Sequence, residues 1–149
     1  VRLMERFEEA GLKTALGLNK KEACEFAELF GRKITDYREY PLEELTRFVA
    51  GQIKIDCLVV HPVKKAACMT GGNYYEVNGP FCAHPVLSTG AGDNFNAGFA
   101  YGYLCGFEPA LSLMLGTATS GFYVRNGRTG TAEEMERFLM EWKEGKLDR

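Results

Sequence analysis

Ser88-Thr89-Gly90-Ala91-Gly92-Asp93-Asn94-Phe95-Asn96-Ala97-Gly98 is the stretch on which the reading of this chain turns. Two glycines around one alanine let the backbone turn tightly and bring successive N–H groups together. A helix is expected from about Asp93 to Gly106, so its unpaired amides and the positive end of its dipole point to one place. Such an arrangement binds anions, and phosphate is the usual one. An aspartate at the mouth of an anion hole would repel phosphate unless it has a task of its own. It fits if Asp93 faces a substrate hydroxyl and accepts its proton during phosphoryl transfer, a reaction that needs positioning, charge neutralisation and a placed base. The bland alternative is a turn with Asp93 as a helix cap. A dinucleotide fingerprint would need a third glycine where Phe95 stands and an acid about twenty residues on, and a second apolar helix follows instead. No Gly-Lys-Ser/Thr occurs, which excludes a Walker A loop.

Outward from this stretch, strands and helices alternate. Leu3, Phe7 and Ala10 are spaced as the apolar side of a short helix that Gly11 ends. Leu12–Leu18 reads as a strand. Asn19 can cap a helix from Lys20 to Phe30, with Ala23, Phe26, Ala27 and Phe30 on one face and Gly31 stopping it. Pro41 suits the first turn of a third helix closed by Gly51. Cys57–Val60 is a continuous apolar run, as in a strand covered on both faces. Lys65–Thr70 and Asn73–Val77, joined by Gly71-Gly72, predict a hairpin. Pro109–Val124 and Ala132–Lys143 complete the helices. The pattern is that of an α/β layered domain.

Composition narrows the class. The 149 residues are expected to form one domain spanning 1–149. Eighteen Lys and Arg against twenty Asp and Glu leave a net charge of −2, without the basic footprint of a nucleic-acid or anionic-lipid binder. Five cysteines never closer than eleven residues, with His61 and His84 as the only histidines, lack the spacing of a zinc site or a disulfide framework. Reduced thiols and a cytoplasmic setting are expected. Within Phe95–Val124, Glu108-Pro109 interrupts the uncharged sequence into runs of thirteen and fifteen residues, each short of a membrane span. The amino end carries no signal or transit pattern, and without a Met at position 1 the chain is expected to start inside a longer protein.

With these residues in place, STGAGDNFNAGF resembles the signature of the ribokinase-like (PfkB-type) carbohydrate kinases, DTTGAGD followed by F and a G. Asn19-Lys20-Lys21-Glu22, after a strand and opening a helix about seventy residues upstream, is similar to that family's N-x-x-E motif. The resemblance covers essentially the whole chain but only the carboxyl-terminal half of such a kinase. It implies a three-layer αβα fold with a mainly parallel sheet and an antiparallel edge hairpin, incomplete here. It implies ATP and Mg²⁺ as cofactors and a small sugar or nucleoside as acceptor. Asp93 would be the base, the amides of Gly90, Ala91 and Gly92 the anion hole, and Asn19 and Glu22 would act on the Mg²⁺–phosphate assembly through water. Thr117 would line the adenine pocket.

The sequence departs from the family at three places. The leading acid of DTTGAGD, which helps hold a monovalent cation, falls on Leu87, so a potassium site of the usual kind is not expected. The nucleotide loop T-x-G-x-x-G falls on His61, Val63 and Ala66, with two glycines lost. The amino-terminal half, which carries sugar recognition, is absent. Two readings follow: the ATP-binding, catalytic-base half of a sugar kinase, or a non-catalytic nucleotide or small-molecule binding module of the same fold. In either case the chain is expected to form a homo-oligomer or associate with the missing half. Gly98, Gly102 and Gly106, four apart, are expected to let one helix lie close on the sheet. Arg125 and Arg128 are expected in a solvated turn.

Overall fold

Residues 2–147 are described by a computed structural model. The elements follow the order α1 (Arg2–Glu9), β1 (Ala15–Leu18), α2 (Lys20–Leu29), α3 (Leu42–Ala50), β2 (Cys57–Val60), β3 (Lys65–Thr70), β4 (Asn73–Asn78), α4 (Ala91–Leu104), α5 (Pro109–Asn126) and α6 (Ala132–Lys143). They divide into two compact units, one running to Pro62 with Ala67–Glu76 added, the other made of Val63–Ala66 and the chain from Val77 onward.

The first unit is built on a four-stranded sheet in the order β1-β2-β3-β4. β1 runs parallel to β2, pairing Ala15 with Cys57 and Leu18 with Val60. β2 runs antiparallel to β3, pairing Cys57 with Thr70 and Val60 with Ala67. The sheet of this chain is therefore mixed, with parallel pairing between β1 and β2, and the β3–β4 hairpin turns through Gly71-Gly72, both at positive φ. β1 is shorter than the sequence suggests. Before it the Thr14 amide turns to Asp56 Oδ2 at 2.7 Å, while Thr14 O accepts from the Asp56 and Cys57 amides at 3.1 Å.

Side chains alternate across a strand, so Leu58 and Val60 of β2 enter one core while Cys57 and Val59, also buried, face the other way. That core is closed by Ala23, Cys24 and Ala27 of α2 and by Leu45 and Val49 of α3. Small residues on α2 let it lie close. On α1 the expected apolar side is not the buried one: Leu3 and Phe7 are exposed, and Met4 packs against the core. Cys57 and Cys68, on neighbouring strands, share a thiol hydrogen bond, which together with burial pushes the Cys57 thiol well above its ordinary range. All five cysteines are free.

The second unit rests on α4 and α5. A Cβ on Gly98 would strike Thr119 Oγ1 and stand 2.7 Å from Leu115 O, one on Gly102 would stand 3.0 Å from Ser112 Cα, and one on Gly116 would stand 3.0 Å from Phe95 O. The glycine ridge thus seats α4 on α5, not on the sheet, and Gly106 lies outside it, ending α4 at φ +75°. α6 starts with a capping box, Thr131 and Glu134 exchanging side-chain and backbone hydrogen bonds. Its Phe138 meets Phe122 edge-on at 5.8 Å, with Trp142 and Leu139 packed around the pair. Among the described residues no helix is long and apolar enough to cross a membrane.

Candidate active site

Gly90 is the residue that makes the turn possible. It caps α4 with φ +89°, a left-handed conformation that a side chain disfavours. The Ala91 amide closes the turn on Ser88 O at 3.1 Å, and the first i→i−4 bond of α4 runs from Asn94 N to Gly90 O at 3.1 Å. The amides of Gly92 and Asp93 precede that bond, which leaves them directed out of the helix start, where the dipole favours an anion. Asp93, in the first turn of α4, is exposed. Helix, turn and carboxylate are assembled as the sequence suggests, with α4 beginning two residues earlier.

Three side chains that the sequence did not point to hold this turn. Tyr123 of α5 donates its hydroxyl to Thr89 O at 2.8 Å. Asn94 donates Nδ2 to Gly90 O at 3.0 Å and accepts at Oδ1 from the Thr129 hydroxyl at 3.1 Å. The approach to the turn is tied to the same end of α5: Val86 N donates to Val124 O at 2.7 Å, and the Arg125 guanidinium donates to Pro80 O at 2.9 Å and Phe81 O at 2.8 Å. Arg128 pairs with Glu134, holding that carboxyl down at about 2 with help from the Thr131 amide. Arg125 thus lies inside α5 and not in a turn, whereas Arg128 is exposed in the bend after α5, as the sequence suggests, and pairs there with Glu134. Apart from the Asn94–Gly90 bond and the Arg128–Glu134 pair, these contacts join residues 34 to 45 apart in sequence, so no spacing rule finds them.

Asn19 and Glu22 are brought together in the first unit. Asn19 Oδ1 accepts from Glu22 N at 2.9 Å, and Glu22 Oε2 accepts from Asn19 N at 2.8 Å. The motif is a capping box for α2. His61, directly after β2, donates its amide to Leu18 O at 2.9 Å. Burial holds its imidazole below the ordinary range, with the charge of Glu22 pulling part of the way back. Val63 is exposed and Ala66 fully buried. Thr117 is nearly buried on α5, its hydroxyl on Met114 O at 2.9 Å and its methyl side packed toward Gly79. Leu87 presents no ligand oxygen from its side chain.

The donor chemistry suits the groups that the motif resemblance implies. Magnesium favours oxygen ligands and keeps several waters. An exposed carboxylate whose orientation is fixed by a cap matches a contact through that hydration shell. A polyphosphate matches the Gly92 and Asp93 amides at the helix start.

Solved structures identify the class. The chain matches a nucleoside kinase of the ribokinase family from Methanocaldococcus jannaschii (TM-score 0.64, 21% identity, 86% of this chain and 40% of that one). It also matches a probable sugar kinase from Rhizobium etli (TM-score 0.67, 22% identity, 98% and 40%) and phosphofructokinase-2 from Escherichia coli (TM-score 0.69, 16% identity, 89% and 41%). The fold is that of the ribokinase family. Within it, a family model described as prokaryotic ketohexokinase matches residues 4–142, and the chain belongs to that family. A ketohexokinase from Haloferax volcanii is 35% identical over 78 residues, 52% of this chain and 21% of the relative. The chain thus spans about two fifths of the solved relatives, and the curated alignment covers 21% of its partner.

Proposed function

We propose that the protein carrying this chain is an ATP-dependent kinase of a ketohexose, and that residues 1–149 supply its phosphoryl-transfer side. The observation that carries the reading is the left-handed Gly90 turn heading α4 with Asp93 in its first helical turn. In the reaction the acceptor hydroxyl oxygen bonds to the γ-phosphorus of ATP, its proton passes to the Asp93 carboxylate, and ADP leaves. The Gly90 and Gly92 amides face the transferring group and stabilise its spreading charge, while the Ala91 amide, spent on Ser88 O, closes the turn between them. Mg²⁺, when bound, neutralises phosphate charge. Asn19 and Glu22 would act on its water shell, and Thr117 would contribute packing beside the nucleotide. The ketohexose is the acceptor because the matching family bears that name.

The free thiols support a reducing, cytoplasmic setting. β1 pairs on one side only among the described residues, and Tyr101 and Leu104 are well exposed, which supports association with further chain or a second copy.

The loop carrying His61, Val63 and Ala66 in place of the family's T-x-G-x-x-G favours a second reading, a nucleotide-binding module without catalysis. One experiment separates the two. ADP release is followed in the full natural protein with Mg²⁺, ATP and a ketohexose, for the wild type and for Asp93→Asn. The kinase reading expects turnover in the wild type and a loss of about 10²–10⁴-fold in the variant, with ATP binding kept. Equal turnover in the two would remove Asp93 as the base; ATP binding without turnover in the wild type would select the binding module.

A further inference from the structure

We infer that Tyr123 is a positioning residue that aims the Gly90 amide of the anion hole, an assignment that rests on the kinase reading of the same turn. In a trans peptide the C=O and N–H point in opposite directions across one plane. The Thr89 carbonyl and the Gly90 N–H belong to the same peptide unit. The Tyr123 hydroxyl donates to that carbonyl at 2.8 Å, so the bond that holds Thr89 O on one side directs the Gly90 N–H to the other.

The ring acts as well as the hydroxyl. A Cβ built on Gly90 would lie 2.9 Å from Tyr123 Oη and 3.3 Å from Cζ, so the phenol occupies the space that the missing side chain leaves. The turn is thereby limited on the side where it would relax. The next peptide is fixed independently, Gly90 O accepting from both the amide and the side chain of Asn94. Tyr123 itself stands on the last turns of α5, where Val124 O also accepts the Val86 amide and Arg125 grips Pro80 O and Phe81 O. The hydroxyl is thus anchored to a helix and not to a loose segment. An amide held in direction before the reaction adds more to the transition state than one that must reorient.

The test is Tyr123→Phe in the full natural protein, with Asp93→Asn alongside. The expected result is a kcat lower by about 3- to 10-fold, the range of one lost hydrogen bond, with KM for the ketohexose unchanged. ATP is expected to lose affinity relative to ADP, because the amide faces the transferring phosphoryl group. This ratio is read by equilibrium binding and needs no turnover. A merely structural tyrosine would lower the melting temperature and leave kcat per folded molecule and the ATP-to-ADP ratio at their wild-type values, which would overturn the inference. If Asp93→Asn is inactive while Tyr123→Phe matches the wild type in both readouts, the inference alone fails. If Asp93→Asn is fully active, the reading beneath it fails too.

Discussion

Replacing Gly98 by alanine tests how α4 and α5 are held, and the outcome can be worked from the contact. The new Cβ would strike Thr119 Oγ1 and stand 2.7 Å from Leu115 O. The threonine can rotate, although it would release its own 2.7 Å bond to Leu115 O. The Leu115 carbonyl is backbone and cannot yield without moving the helix. The gap is short of ordinary contact by about 0.7 Å, so the two helices must part. Overpacking of this kind destabilises by about 1–3 kcal/mol, and the rigid obstacle argues for the upper end. Alanine returns about 1 kcal/mol of helix propensity. The net loss is about 2 kcal/mol, or a melting temperature lower by roughly 4–8 °C at this chain length. Gly51→Ala is the control, because a Cβ there meets only Arg47 O and Phe48 O at 3.5 Å, with φ −71°. It is expected to be neutral or to stabilise by about 0.4–1 kcal/mol. Both variants are followed by circular dichroism melts. A Gly98→Ala protein that melts at or above the wild type would refute the close α4–α5 contact.

Glu134 offers a pH test. Its folded value, about 2 against an ordinary 4.5, means that it stabilises the fold fully above 4.5 and progressively less as pH falls toward 2. Glu134→Gln should therefore melt below the wild type at pH 7 and converge with it near pH 2; a constant gap across that window would show that the Arg128 pair does not matter. With Leu87 in place of the family's acid, turnover of the full protein should require Mg²⁺ and respond no more to K⁺ than to Na⁺. A strong potassium requirement at constant ionic strength would mean that other groups hold a cation.

Much of the fold was legible because it is written in local patterns. The run Cys57–Val60, the Gly71-Gly72 turn and the Asn19/Glu22 spacing each act over a few residues, and the elements formed where those patterns lie. The Gly90–Asp93 turn was legible for the same reason, since a left-handed glycine and the helix start after it need no distant partner. What the glycine ridge packs against was not, because a row of small residues at Gly98 and Gly102 states that something comes close without stating what; only the folded chain brings Thr119 and Ser112 there. Side-chain support of the turn was equally hidden. Tyr123 sits near the end of a mostly apolar helix where nothing in its spacing marks a role, and its hydroxyl finds Thr89 O only after α5 and the turn, 34 residues apart, have folded against one another. Arg125 shows the same limit, a charged residue next to a turn in the sequence and a clamp on two backbone carbonyls in the structure. Local backbone conformation is set by neighbours along the chain, whereas a hydrogen bond to a distant carbonyl exists only once the tertiary fold has chosen its partners.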